Sequence, residues 1–219
     1  MSDTLILLAH PTLRHSRVNA ALLQALKGTG AEAVHGGPVA SKAPEVRDLY
    51  ALYPDYFIDV AAEQAALQRA RLIVWQHPLH WYSMPALMKL WVDEVLRFGW
   101  AYGPDGHALQ GKWLWPVLST GGNDDSYSPT GHNRHPFDAF LPPYRQTAAL
   151  CGMHWVEPLV LHGAHHVTEP ALAAHTRQYL SGLAHGAQPT DDASAGHEAT
   201  LPHTTTPEVP AQARPRRAV

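Results

Sequence analysis

Residues 72–97 place a buried strand, an aromatic loop and a helix in immediate succession. Leu72–Gln76 is a short apolar run with β-branched residues, which is typical of a strand covered on both faces. The following helix is predicted to have Ser83 as its N-cap and Pro85 in its first turn. The loop between them, Pro78–Tyr82, therefore lies at the carboxyl end of a buried strand, where open α/β sheets bind ligands. Its Trp and Tyr rings predict a flat ligand.

Strand and helix patterns alternate from the first strand to the last predicted helix. Such alternation predicts a parallel sheet with helices on both faces, because each connection between parallel strands must cross back over the sheet. Five strands favour a doubly wound α/β sheet of flavodoxin type. The predicted strands are Thr4–Ala9, Val46–Tyr50, Leu72–Gln76, Lys112–Ser119 and His154–Leu161. The predicted helices are Ser16–Lys27, Asp59–Arg69, 83–96, Phe137–Leu150 and Glu169–Leu183.

Two stretches lie outside this alternation. Gly28–Pro44, rich in Gly, Ala and Pro, joins the first helix to the second strand at the sheet edge opposite the ligand side, so we interpret it as an insertion. Residues 185–219 have no apolar periodicity and cannot bury enough apolar surface to become ordered. The sequence thus predicts one domain, residues 1–184, followed by a disordered tail that we interpret as passive rather than as a docking segment.

Composition narrows the class of protein and its compartment. The net charge of −3 argues against nucleic acid as the main partner. The single cysteine, Cys151, excludes an internal disulfide and fits a reducing compartment. The apolar run Leu5–Ala9 is too short for the core of a signal peptide, and no stretch has the length of a membrane span. We therefore expect a cytoplasmic protein.

The loop after the first strand ends where a helix begins, and a helix start favours an anion through its free N–H groups and its dipole. Ser16 is predicted to cap this helix and to donate to a phosphate, although a plain N-cap would also explain it. Walker and dinucleotide-binding glycine motifs are missing from this loop, so a single phosphate is favoured over a pyrophosphate. The other candidate phosphate contacts are His10 and Arg17, which would supply charge, and Val18 and Asn19.

Two further loops, after the third and fourth predicted strands, are expected at the same edge of the sheet. The paired glycines of the second would let its backbone approach a ligand closely. A phosphate pocket, an aromatic loop and a close backbone loop together suit flavin mononucleotide (FMN), with the ring system between the two later loops. The candidate contacts in these loops are Pro78, Leu79, His80, Trp81, Tyr82, Ser119, Thr120, Gly121 and Gly122.

Several of these segments together form the pattern of a known family. They are Ala9-His10-Pro11 with Ser16 and Asn19, residues 49–55 and 58–64, Trp75–Leu90, Phe98–Gly103 and Thr120–Gly122. In them the chain resembles the flavodoxin-like NAD(P)H:quinone oxidoreductases, in particular the ancillary subunits of glutathione-regulated potassium-efflux systems. The resemblance implies FMN, a homodimer with the flavin near its interface, and two-electron reduction of quinones by NAD(P)H. It also implies a potassium-efflux transporter at the inner face of the cell membrane as a partner.

Within this interpretation, His80 or Tyr82 is expected to relay the proton that a reduced quinone needs, although His80 could instead only shape its loop. The length and the Gly and Pro content of Asn123–Pro136 predict a flexible lid over the exposed flavin face. The helix after the aromatic loop, Met84–Phe98, is apolar around much of its circumference. Together with its neighbouring loops, it is therefore expected to form the homodimer contact.

Sixteen histidines raise a metal site as an alternative. They cluster at His162–His166, at His132 and His135, and at His77 and His80, without a metalloprotease spacing or a thiolate partner, so no metal ligand is predicted. We interpret His162–His166 as a solvated loop, with one imidazole facing the cleft as the alternative. A flavoprotein that acts mainly by docking on a transporter also stays open, because the same flavin contacts would serve both roles.

Overall fold

The computed structural model describes residues 3–28 and 43–185. Its strands are β1 (Thr4–Leu8), β2 (Glu45–Asp48), β3 (Leu72–Pro78), β4 (Trp113–Ser119), β5 (His154–Trp155) and β6 (Leu159–Leu161). Its α-helices are α1 (Arg17–Gly28), α2 (Leu49–Leu52), α3 (Val60–Arg69), α4 (Ala86–Val95), α5 (Pro142–Leu150) and α6 (Glu169–Ala184). Three 3₁₀ helices cover Leu13–His15, Asp124–Tyr127 and Phe137–Phe140.

The strands form one parallel sheet in the order β2-β1-β3-β4, with β5 and β6 both paired to β4. The predicted doubly wound α/β sheet is thus confirmed. After β1 the chain adds β2 on one side and β3 on the other, so the order of strands reverses between β1 and β3. A crevice opens at such a reversal, outside the carboxyl ends of the strands.

The core consists of two layers, one on each face of the sheet. Along β1, Leu5 and Leu7 face a layer built with α3, α4 and α5, whereas Ile6 faces a layer built with α1 and α6. This division follows from the two-residue period of a strand. The central strand β3 is buried on both faces over Leu72–His77, which explains why its apolar run was recognisable in the sequence.

The structure corrects several predicted boundaries. Leu49 and Tyr50, predicted as strand, begin α2, because the Asp48 carboxylate accepts a hydrogen bond from the Ala51 N–H and caps a helix there. Ser83 is not the N-cap of α4, because it pairs with His80 in a tight turn and the helix begins after Pro85.

Two longer predicted elements are each interrupted. The predicted helix Phe137–Leu150 divides into a 3₁₀ helix and α5, whose first two residues are prolines. The predicted fifth strand divides into β5 and β6 around Pro158, which has no N–H to donate to β4. Most of the Gly28–Pro44 insertion and the tail beyond His185 lie outside the described residues. Within the described residues, no helix is long and apolar enough to cross a membrane.

A buried carboxylate fixes α3 against its neighbours. Glu63 is fully buried and accepts hydrogen bonds from Arg47 Nε at 2.7 Å, from Trp91 Nε1 at 2.9 Å and from the Tyr53 hydroxyl. Burial and the bond to Glu63 raise the pKa of Tyr53 to about 12, so the phenol stays protonated and remains a donor. One carboxylate therefore joins β2, α3, α4 and the residue that follows α2.

We expect the protein to lose stability in mild acid, because two of its histidines are buried. Burial lowers the pKa of His77 and of His175 to about 4, while the unfolded chain takes up these protons near pH 6.5. Stability is therefore lost as the pH falls from about 6.5 to about 4, by about 2 kcal/mol per histidine between pH 7 and pH 5. In urea unfolding at these two pH values, His175→Gln should lose about 2 kcal/mol less than the unsubstituted protein. Equal losses in the two proteins would contradict the assignment.

Candidate functional site

Two adjoining hollows form one cleft outside the carboxyl ends of β1, β3 and β4. They share Leu79 and Gly121 and measure about 430 and 280 Å³, together within the usual range for small-molecule sites. The helix-end hollow is lined by the two shared residues with His10, Thr12, His15, Ser16, Arg17, Pro78, His80, Ser119, Thr120, Ala164 and His165. The aromatic hollow is lined by them with Trp81, Tyr82, Gly122, Ser126, Tyr127, His132 and Asn133.

The start of α1 is arranged to receive an anion. The Ser16 hydroxyl oxygen accepts the Asn19 backbone N–H at 3.0 Å, so Ser16 caps the helix as predicted. Within the described residues, the backbone N–H groups of Arg17 and Val18 have no acceptor. Arg17 lines the helix-end hollow and Val18 follows it directly, so the helix dipole acts behind both donors at the end of the hollow.

The side chains that follow Ser16 have structural roles. Asn19 is only 2 % exposed and donates to the Ser119 hydroxyl at 3.1 Å, which ties α1 to the end of β4. Val18 packs in the core between the sheet and α6. The Arg17 guanidinium pairs with the Glu169 carboxylate at 2.8 Å. Ligand contacts at Val18 are thus limited to its backbone N–H. Arg17 meets Glu169 through Nη2 alone, so its other N–H groups remain for a phosphate.

The loop after β3 is a strained turn that displays an aromatic ring. His80 and Ser83 exchange two backbone hydrogen bonds of 2.9 and 3.0 Å, and the two residues between them have φ angles of 49° at Trp81 and 64° at Tyr82. These are the features of a type I′ turn, which normally uses Asn and Gly. Bulky residues held there indicate a functional constraint. Trp81 is 94 % exposed at the rim of the cleft, and Tyr82 stacks on Phe140.

The loop after β4 forms the floor shared by both hollows. Thr120 donates its N–H to the Leu161 carbonyl at 3.0 Å, so that group is unavailable to a ligand. The N–H groups of Gly121 and Gly122 have no acceptor in the described part of the chain. A Cβ atom on Gly121 would come within 3.2 Å of His165 Nε2. The two glycines therefore offer N–H groups at a place where a side chain would not fit freely.

The Asn123–Pro136 loop, predicted as a flexible lid, is folded around Tyr127. Its backbone closes on itself where the Asn133 N–H donates to the Ser126 carbonyl at 2.9 Å. The Tyr127 ring packs edge-on against Phe137 and Phe140. The loop thus forms a defined wall of the aromatic hollow.

Two histidines face each other across the helix-end hollow, with their ring centroids 6.4 Å apart. Burial lowers the pKa of His80, and burial and the neighbouring His80 lower the pKa of His10, so both are neutral at pH 7. A phosphate bound beside His10 would raise this pKa again, so the expectation that His10 supplies charge stays a prediction. His10 Nδ1 accepts the Thr12 N–H at 3.1 Å, so the neutral ring carries its proton on Nε2 and acts as a neutral donor.

Sequence reasoning missed several cleft residues. Tyr127, His132 and Asn133 line the aromatic hollow, in the loop that was predicted to border the flavin but without being singled out. His165 lines the helix-end hollow, which agrees with the alternative that one imidazole of His162–His166 faces the cleft. These residues lie in loops whose sequences have neither a helix nor a strand pattern, so little in the sequence showed which side chains face the cleft. No group of three or more metal-ligating side chains is found in the regions the structure describes.

Comparison with known proteins places this cleft in context. Residues 2–183 match a protein family described as having a flavodoxin-like fold. The chain belongs to this family. Among its flavodoxin-like relatives is the "Glutathione-regulated potassium-efflux system ancillary protein KefF" of Salmonella typhimurium, 44 % identical over 179 residues that cover 82 % of this chain and 94 % of that protein. The resemblance found from the sequence is therefore confirmed.

Solved structures of flavodoxin-like proteins agree with this assignment. The general stress protein 14 of Treponema denticola, solved in complex with FMN, superposes with a TM-score of 0.73 at 33 % identity and covers 84 % of this chain and 99 % of its own. An NADPH-quinone reductase from P. pentosaceus gives a TM-score of 0.69 at 26 % identity, with 82 % of this chain and 95 % of its own covered.

Proposed function

We propose that this flavodoxin-like protein binds one FMN in the cleft and reduces quinones with NAD(P)H. One observation carries the proposal: the free N–H groups at the start of α1 and the exposed aromatic turn after β3 open into a single cleft. Such an arrangement suits a ligand with a phosphate at one end and a flat ring system at the other. The FMN in the Treponema structure and the quinone reductase among the neighbours support it.

The residues that would hold the group divide between the two hollows. The phosphate would lie against Ser16 and the N–H groups of Arg17 and Val18, with His10 as a neutral donor. The ring system would lie against Leu79–Tyr82, with the N–H groups of Gly121 and Gly122 available to stabilise negative charge. Bound FMN would supply hydride acceptance from NAD(P)H and hydride donation to a quinone.

The chain must also provide a proton for the reduced quinone. His80 is exposed at the mouth of the cleft, and because partial burial lowers its pKa, its neutral imidazole can accept and return a proton at pH 7. The Tyr82 hydroxyl donates to Asn133 Oδ1 at 3.4 Å, so that proton is partly engaged. We therefore favour His80 over Tyr82 as the relay.

Steady-state kinetics test this function. Because one exposed face, beside Trp81, would receive nicotinamide and quinone in turn, double-reciprocal plots at several quinone concentrations should be parallel. His80→Gln should lower turnover per bound flavin by about 10²-fold or more if the imidazole relays the proton. Intersecting lines would show both substrates bound together and contradict the shared position.

A second candidate function follows from the KefF relatives, whose name assigns them to a potassium-efflux system. Here the protein would act at the cytoplasmic face of the membrane by docking on a transporter, with FMN as a structural support or redox sensor. Potassium efflux measured with a variant that binds FMN but lacks turnover separates the two. Full activation by such a variant favours docking, and loss of activation favours a role for the reaction.

A homodimer belongs to the same proposal, with its contact at the start of the predicted helix Met84–Phe98 and in the neighbouring loops. The rest of α4 has little apolar surface left, because five of its large side chains are buried within the chain, namely Leu87, Met88, Trp91, Val95 and, at its end, Leu96. The apolar surface lies instead in a groove of about 560 Å³ beside the cleft. It is lined by Pro11, Tyr50, Tyr56, His80, Trp81, Ser83, Met84, Ala86 and Lys89. Exposed aromatic surface of this kind favours burial against a partner.

Sedimentation tests this contact. The unsubstituted protein should be a dimer at micromolar concentration, and Ala86→Arg, an exposed change that a helix tolerates, should make it a monomer. The matched control is Ala173→Arg, also exposed, on α6 at the opposite face of the sheet. It should remain dimeric. A monomeric unsubstituted protein would contradict the proposal.

A further inference from the structure

His162 lies just behind the cleft, immediately after β6, and its side chain is 17 % exposed. The ring is enclosed by Tyr127 and Phe137, each with its centroid 5.0 Å away. Its Nδ1 lies 2.9 Å from the Thr120 hydroxyl oxygen, and its Nε2 lies 3.6 Å from Asp124 Oδ1. One imidazole thus touches both the glycine loop after β4 and the 3₁₀ helix that follows it.

The partners of Thr120 fix where the proton of this imidazole resides. The Thr120 hydroxyl donates to the Gly122 carbonyl at 2.7 Å, and a carbonyl can only accept. Since the hydroxyl has one proton, His162 Nδ1 must be the donor in its bond to Thr120. A neutral His162 then has an unprotonated Nε2 facing a carboxylate, so two acceptors oppose each other. A second proton, on Nε2, turns this contact into an ion pair.

We propose that His162 is a positioning residue that holds the Gly121–Gly122 loop in place through Thr120. A second proton, on Nε2, then binds Asp124, and with it the Asn123–Pro136 loop, to this glycine loop. The inference rests on the proposed function, because the positioned loop is the one that would contact FMN. The chain of contacts runs from His162 through the Thr120 hydroxyl to the Gly122 carbonyl. It therefore helps to hold the backbone of the glycine loop in place.

The charged form is balanced between two opposing effects. Burial lowers the pKa of His162, and the Asp124 carboxylate raises it. The titratable groups facing this imidazole from the elements packed on it are Asp124 and Tyr127, and burial raises the pKa of Tyr127, which keeps it neutral. Asp124 is thus the charged group with which the doubly protonated His162 would pair. The contact between His162 and Asp124 should strengthen as the pH falls below the ordinary pKa range of histidine.

The first measurement needs no flavin. The His162 pKa is followed by NMR in the full-length protein, with Asp124→Asn as the comparison. The variant should lower this pKa, and only modestly, because the carboxylate is largely exposed. Amide exchange across residues 123–133, corrected for its intrinsic pH dependence, should slow at low pH in the unsubstituted protein and not in the variant. The same pKa and exchange in both proteins would overturn the proposal.

The second measurement is FMN affinity at pH 6 and pH 8, by quenching of flavin fluorescence. His162→Asn keeps a donor near the position of Nδ1 and should retain affinity without the pH dependence specific to His162. His162→Phe loses the donor and should weaken FMN binding about tenfold at both pH values. Equal affinity of all three proteins, with equal pH profiles, would overturn the role of His162 and leave the proposed function standing. Failure of the unsubstituted protein to bind FMN, with the Asp124-dependent titration intact, would overturn the function instead.

Discussion

Replacing Ser16 with Asp should empty the cleft of FMN. Aspartate is as good an N-cap as serine, so α1 should still begin at Arg17 and the protein should fold. Its carboxylate, however, would lie beside the free N–H groups of Arg17 and Val18, where the phosphate is proposed to bind. Like charges at such distances repel by several kcal/mol at the effective dielectric constant of a partly buried site. FMN affinity should therefore fall by at least about 100-fold.

The matched control is Ser16→Asn, which has nearly the shape of aspartate and also caps helices, but is neutral. Its FMN affinity should stay within about tenfold of the unsubstituted protein, since only one neutral donor is lost. Isothermal titration with FMN measures both variants, and circular dichroism checks that each is folded. Equal binding by the Asp and Asn variants would place the phosphate elsewhere.

Replacing Glu63 with Ala should destabilise the protein by about 3–5 kcal/mol, the usual result of removing one partner from a buried ion pair. The change leaves the Arg47 guanidinium with only its longer carboxylate contact, to Glu45 at 3.5 Å, and leaves the Trp91 N–H and the Tyr53 hydroxyl without an acceptor. Urea unfolding at pH 7 measures the loss. FMN affinity of the folded fraction should be unchanged, because this network does not line either hollow.

An exposed pair on α4 provides the comparison. Asp93→Ala removes a carboxylate that pairs with Lys89 at the surface, and it should cost no more than about 0.5 kcal/mol. A loss below about 1 kcal/mol for Glu63→Ala would show that the buried network is dispensable.

The predictable part of the fold follows from burial. β3 was recognisable because both of its faces are covered, and the start of α3 because the Asp59 carboxylate accepts the Ala62 N–H, a local contact. Ser83 illustrates the limit. It has the residue type of an N-cap, but its pairing with His80 in a strained turn decided the start of α4. The start of α4 therefore depends on tertiary contacts, which the local sequence pattern does not show.

The candidate site divides in the same way. The three predicted loops do meet in one cleft, because parallel strands place their carboxyl ends at one edge of the sheet. Which side chains face the ligand could not be predicted. Asn19 turns into the protein toward Ser119, and His162 comes into contact with Thr120 through a connection without periodicity. Such contacts join residues far apart in sequence and have no local signature.

The absorbance spectrum of the protein, reconstituted with FMN and freed of excess flavin, tests the central claim most directly. We expect one FMN per chain, a flavin absorbance band that bleaches when NADPH or NADH is added without oxygen, and its return when a quinone follows. Failure to retain FMN would contradict the assignment of the cleft. Retained FMN that neither nicotinamide cofactor bleaches would contradict the proposed reaction.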